Sequence, residues 1–65
     1  MHEERDIGDY KVQVTEYAGG YQAAIYPTKK GAPLIDWKNK PIWSPNVESA
    51  FLLAQQRIDA ELAAS

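Results

Sequence analysis

The 65-residue chain contains no cysteine. That excludes a disulfide framework and any thiolate metal site, and it favours a reducing compartment. Long apolar runs are missing as well: no stretch approaches the ~20 residues that span a bilayer. After Met1 come His2, Glu3, Glu4, Arg5 and Asp6, which leaves no apolar secretory segment at that point. The expectation is a cytoplasmic protein without membrane contact. Neither sign of charge dominates, the net value being −2. A free-standing nucleic-acid binder usually carries a basic excess, and this chain does not. Histidine is scarce too, with His2 as the one example.

Hydrophobic residues at 45% fit a globular chain rather than a disordered one. The length suits one domain and not two. A domain of this size buries only about 60% of its unfolded surface, so its stability margin is thin. Charge is unevenly spread. Residues 1 to 10 carry a net −3, with Glu3, Glu4, Asp6 and Asp9 against Arg5. Residues 26 to 43 carry +3, with Lys29, Lys30, Lys38 and Lys40 against Asp36.

Residues 1 to 9 read as an acidic, flexible lead-in, with Ile7 the one residue fit for burial and Gly8 a helix breaker. From residue 10 to 65 the pattern is that of a single domain. Tyr10, Val12 and Val14 alternate with Lys11, Gln13 and Thr15, the period-two signal of a half-buried strand over residues 10 to 17. Gly19-Gly20 supplies a hairpin turn. Residues 21 to 26 form the return strand, stopped by Pro27, which has no N–H for a ladder. With Gly19-Gly20 as the loop, Val14 faces Ile25 and Glu16 faces Ala23. Tyr10, Val12, Val14, Tyr21, Ala23 and Ile25 then share the core face, and Lys11, Gln13, Thr15, Gln22, Ala24 and Tyr26 the other. A third strand is expected at about 33 to 37. Ile42 and Trp43 either extend a strand or staple the helix start.

Ser44 and Pro45 open a helix expected over 45 to 63, with Ser44 as cap and Pro45 in the first turn. Val47, Phe51, Ala54, Ile58 and Leu62 form one apolar stripe at 100° per residue. Leu52 and Leu53 lie off that stripe on opposite flanks, which marks them as partner-contact candidates. The expected architecture is α+β: a two- to three-stranded antiparallel sheet in β-β-β-α order, packed on one face by a C-terminal helix.

Catalytic signals are absent. Nucleophilic catalysis needs a base positioned beside its nucleophile, and His2 sits in the expected tail. Beside Glu3, Glu4 and Asp6 it reads as a solvated acidic segment rather than a metal site. Gly19-Gly20 precedes a strand, so it is not a phosphate loop. No enzyme, cofactor, metal or small-molecule substrate is expected. Two binding readings remain. One is a protein partner or homodimer contact through Tyr26, Gln22, Gln13 and Lys11 on the polar sheet face, or through Leu53 and Leu52 on the helix flanks. The other is nucleic-acid contact through Lys29, Lys30, Lys38, Lys40 and Trp37, since interleaved cations and aromatics suit phosphates and stacked bases.

Tyr10-Lys11-Val12-Gln13-Val14, then Gly20-Tyr21-Gln22-Ala23-Ala24-Ile25-Tyr26-Pro27, then Ser44, Glu48, Ala50, Ala54, Ile58 and Leu62 resemble the N-terminal domains of HicB-type antitoxins. The resemblance spans residues 10 to 62. It implies a partial double-stranded-RNA-binding-like fold, strands followed by a helix, and a partner-binding habit. Residues 28 to 43 depart from the family, where a Pro-Gly-Cys-type turn and a Gly-Asp-Thr before the helix are usual. The length is expected to leave no room for the C-terminal DNA-binding domain of many such antitoxins. The same element order also resembles the arm-binding domain of tyrosine-type integrases, which reads DNA through its sheet. Those sheets are richer in Arg and Lys than a face with Lys11 among Gln13, Thr15, Gln22 and Tyr26.

Overall fold

The computed structural model describes residues 2–64. Met1 and Ser65, the outer ends of the expected tail and domain, lie outside the described residues. Among the described residues there are four strands and one helix: β1 (His2–Ile7), β2 (Tyr10–Tyr17), β3 (Gly20–Pro27), β4 (Ile42–Ser44) and α1 (Val47–Ala64). The strands form one antiparallel sheet in the order β1-β2-β3-β4. The helix packs across one face of it. The fold is therefore the expected α+β arrangement, with a sheet larger than two or three strands.

The first difference lies at residues 2–7, which pair with β2 rather than forming a loose lead-in. Glu3 faces Val14, Arg5 faces Val12 and Ile7 faces Tyr10. Gly8 and Asp9 form the connecting turn, and Gly8 supplies its positive φ of 58°. Positive φ at the first turn position suits the twist of a tight hairpin. Period-two reasoning misses this strand because both of its faces are charged. Its helix-side face is held instead by Ile7, packed against the core, and by Arg5, whose guanidinium carbon lies 4.0 Å from the centre of the Phe51 ring. Arg5 also donates to the Glu48 carboxylate at 2.6 and 3.3 Å.

The β2–β3 hairpin turns on Ala18-Gly19, with φ of 51° and 78°. Tyr17 pairs with Gly20, Val14 with Ala23 and Val12 with Ile25. The register is two residues away from the one expected from a Gly19-Gly20 loop. An even shift leaves every side chain on its expected face, because strand side chains alternate with a period of two. Gly20 is drawn into the strand by a close approach from Trp43. A Cβ on Gly20 would lie 2.7 Å from Trp43 Cε2 and 2.6 Å from the Ser44 carbonyl oxygen.

The strand expected at about 33 to 37 does not form. Residues 28–41 run irregularly, and their backbone is held partly by backbone bonds from Thr28 to Asp9 and from Ala32 to Lys29 and partly by side chains. The Tyr10 hydroxyl donates to the Pro33 carbonyl. Arg57 Nη1 donates to the carbonyls of Asp36 (2.8 Å) and Lys40 (3.0 Å). Asp36 Oδ1 accepts from the Asn39 N–H at 3.1 Å, a local turn bond that competes with a ladder. Ile35 is nonetheless buried in the core. The place beside β3 is taken by β4, with Ile42 and Ser44 buried and Trp43 facing out.

The helix starts two residues later than expected. Its cap is Asn46, whose Oδ1 accepts from the Ser49 N–H at 2.8 Å and whose carbonyl accepts from the Ala50 N–H at 3.1 Å. Ser44, expected as cap, is a buried residue of β4. Ala50, Phe51, Ala54 and Ile58 are buried against Tyr10, Val12, Val14, Ala23 and Ile25. The fully buried Ala50 and Ala54 let the helix backbone come close to the sheet. The stripe ends at Ile58, since Leu62 is 45% exposed.

Candidate functional site

Since α1 covers one side of the sheet, the opposite face is open. The strand register sets its layout. One row runs Trp43, Gln22, Thr15, His2; the next Ala24, Gln13, Glu4; the third Tyr26, Lys11, Asp6. Tyr26, Gln22, Gln13 and Lys11 are therefore brought together as expected from parity. The side toward β1 is polar and internally bonded. Glu4 meets His2 Nε2 at 2.8 Å, Gln13 Nε2 at 3.3 Å and Lys11 Nζ at 3.6 Å. The His2 hydrogen bond, with the Lys11 charge behind it, holds the Glu4 carboxyl below the usual carboxylate range.

The side toward β4 is aromatic. Trp43 is 44% exposed, yet its indole Nε1 donates to the Tyr17 carbonyl at 2.9 Å and its ring lies against Gly20. The ring is thus held against the β2–β3 hairpin. At the other end Tyr26 meets Trp37 edge to face, with ring centres 5.6 Å apart and planes at 72°. The Lys38 ammonium lies 5.6 Å from the Trp37 ring centre. A shallow depression of about 380 Å³ opens there, lined in part by Tyr26, Pro27, Leu34 and Trp37.

The lysines of the basic middle segment have separate local roles. Lys29 lies 3.5 Å from the Asp9 carboxylate, and Lys38 sits over Trp37. The Lys40 backbone carbonyl is an acceptor for Arg57, while Lys30 is exposed in the loop. On the open face itself, Lys11 faces the two carboxylates of Glu4 and Asp6. Leu52 and Leu53 fall on opposite flanks of α1, 58% and 40% exposed. Leu52 lies beside Arg5, Ile7 and Gln55, and Leu53 beside Trp43, Arg57 and Ala60.

Sequence reasoning missed three side chains that shape these surfaces: Trp43 as a pinned ring, Arg5 as a tie from sheet to helix, and Arg57 as an anchor for the irregular segment. The sequence hid the first, because Gly19-Gly20 reads as a turn, and only with Gly20 inside β3 does it become the strand glycine that marks a close approach. The two arginines give no signal, because their partners lie 43 and 21 or 17 residues away. Among the described residues no cluster of His, Asp and Glu is arranged to hold a metal ion, and no helix is long and apolar enough to cross a membrane. No family model, curated protein or solved structure matches the chain.

Proposed function

We propose that the chain is a non-enzymatic protein-interaction module, a small regulatory protein of HicB-like antitoxin type, that meets its partner with the open face of its sheet. One observation carries the reading: on a face left uncovered by the helix, Trp43 is bonded to the Tyr17 carbonyl and lies against Gly20 while 44% exposed. An aromatic ring already ordered before association loses little freedom on binding, and such residues dominate interface energetics. Gln13 and Gln22 between the aromatic ends supply amides that bond a partner backbone. The strand-then-helix order agrees with what the HicB-type resemblance implies. A protein is favoured over nucleic acid because Glu4 and Asp6 outnumber Lys11 on this face, which repels phosphate.

The test is purification of the tagged chain from its own cells, with the retained species identified by mass. The reading expects a protein retained by the unaltered chain and by Leu53→Glu, and lost with Tyr26→Lys and Gln22→Arg at unchanged circular dichroism. A retained nucleic acid that salt releases steeply, at about 0.9 log units of affinity per log unit of salt for each duplex phosphate, would replace this reading with the nucleic-acid one.

A further inference from the structure

Strand β1 is a sheet edge of six residues, His2–Ile7, and among the described residues one side of its backbone faces no other strand. An open edge of that length is a template for another strand. We propose that β1 pairs antiparallel with β1 of a second copy about a two-fold axis through Glu4, joining two sheets into one of eight strands. The pairing uses the backbone edge of β1, whose His2, Glu4 and Asp6 side chains border the open face, and it does not depend on what that face binds.

Symmetry and charge select the register. A two-fold axis that relates antiparallel edge strands stands perpendicular to the sheet, so it pairs residues of the same parity and keeps both helices on one side. Four centres within the strand leave three or more facing residues. Centred on Asp6, the pairing opposes Asp6 to Asp6 and leaves three. Centred on Arg5, the pairing opposes Arg5 to Arg5 and Glu4 to Asp6. Centred on Glu3, it opposes Glu3 to Glu3 and leaves three facing residues. Centred on Glu4, it places Glu3 opposite Arg5 twice and His2 opposite Asp6 twice, along five facing residues. The Glu3–Arg5 pairs set opposite charges directly across the strands, which stabilises this register, whereas like charges destabilise a pairing.

The one like-charged pair in this register is Glu4 with its own copy, and the fold already compensates it. Each Glu4 is bonded to His2 and turned inward over β2 toward Gln13 and Lys11, at 2.8, 3.3 and 3.6 Å. The opposite edge is a poorer candidate, since β4 has three residues. The charges of β1 discourage an unrelated apolar strand, whereas the strand with the fitting pattern is its own copy. Five facing residues a side make a contact below the ~1,200 Å² of stable complexes, so the dimer is weak and concentration-dependent. Its effect is to join two open faces into one continuous surface.

A chain without cysteine makes the test direct. Glu4→Cys sets two thiols opposite each other at about 4.5–5.5 Å between Cα atoms, the spacing of antiparallel neighbours, inside the range a disulfide accepts. Under oxidised glutathione, Glu4→Cys is expected to form a linked dimer about tenfold faster than Glu3→Cys or Lys30→Cys, through the raised effective concentration. Sedimentation of the unaltered chain is expected to show mass rising with concentration and stopping at two copies. The proposal is overturned if Glu4→Cys links no faster than Lys30→Cys, if the unaltered chain stays monomeric at every concentration reached, or if the mass climbs past two copies.

Discussion

Gly20 and Trp43 are a matched pair: the indole ring of one occupies the space where the other would carry a Cβ. The ring in turn bonds Tyr17, the residue that pairs with Gly20 across the hairpin. This contact draws Gly20 out of the turn and into the strand, and it leaves Trp43 ordered on the open face.

Gly20→Ala is therefore expected to destabilise the fold by about 1–3 kcal/mol, the usual cost of forcing extra volume into a packed place. Removing the ring with Trp43→Ala relieves only part of that cost, because the Ser44 carbonyl oxygen still lies 2.6 Å from the added Cβ. Gly19→Ala costs about 1–2 kcal/mol for a different reason, its positive φ, with open space around it. Urea unfolding of the three single variants and the Gly20→Ala/Trp43→Ala double variant checks both statements.

The Arg5–Glu48 pair ties the N-terminal strand to the first turn of the helix. The hydrogen bond from Arg5, reinforced by its charge, lowers the Glu48 pKa below the ordinary carboxylate range. A carboxyl with a depressed folded pKa contributes stability above its unfolded pKa and loses it as pH falls through the folded one. The unfolded value is about 4.3. Glu48→Gln is thus expected to lower the melting temperature at pH 7, with the gap to the unaltered chain closing as pH falls below about 4. Added salt narrows the same gap, since both side chains are solvent-accessible.

Two side chains from outside segment 28–41, Tyr10 and Arg57, bond its backbone carbonyls. Tyr10→Phe removes the donor to Pro33 and is expected to cost about 0.5–1.5 kcal/mol. Arg57→Ala frees the carbonyls of Asp36 and Lys40 together. Cleavage by trypsin after Lys38 is expected to accelerate in Arg57→Ala with little change in helix content. Equal cleavage rates in the two proteins would contradict the anchoring role.

The core carries the stability. Phe51→Ala is expected to cost about 3–5 kcal/mol, a large part of the roughly 3–10 kcal/mol that a chain of this length holds. Leu53→Glu, on a side chain already 40% exposed, is expected to change stability by less than about 0.5 kcal/mol. Thermal denaturation of both variants separates the buried stripe from the flank.

Val12, Val14, Ile25, Phe51 and Ile58 were legible because each element follows one strict period, two in the strands and 3.6 in the helix. The open-face set of Lys11, Gln13, Gln22 and Tyr26 was legible for the same reason, and survived a register shift because the shift is even. Strand β1 was not, since Glu3 and Arg5 occupy its inward positions and Arg5 finds its partners, Glu48 and Phe51, on the distant helix. Leu34 to Trp37 looked like a strand by composition, but Pro33, Pro41 and the Asp36 turn direct its backbone bonds to side chains. Asn46 rather than Ser44 caps the helix because Ser44 is committed to β4 beside Tyr21.

The sheet is two-sided, with the valines of β2 beneath the helix and Gln13 and Gln22 on the uncovered face. Single cysteines along β2 measure this sidedness directly through their rate of reaction with a thiol reagent. Gln13→Cys is expected to react at close to the rate of an unfolded peptide, and Val12→Cys and Val14→Cys only as fast as the fold opens. Fast reaction at position 12 or 14 with protection at 13 would contradict that sidedness.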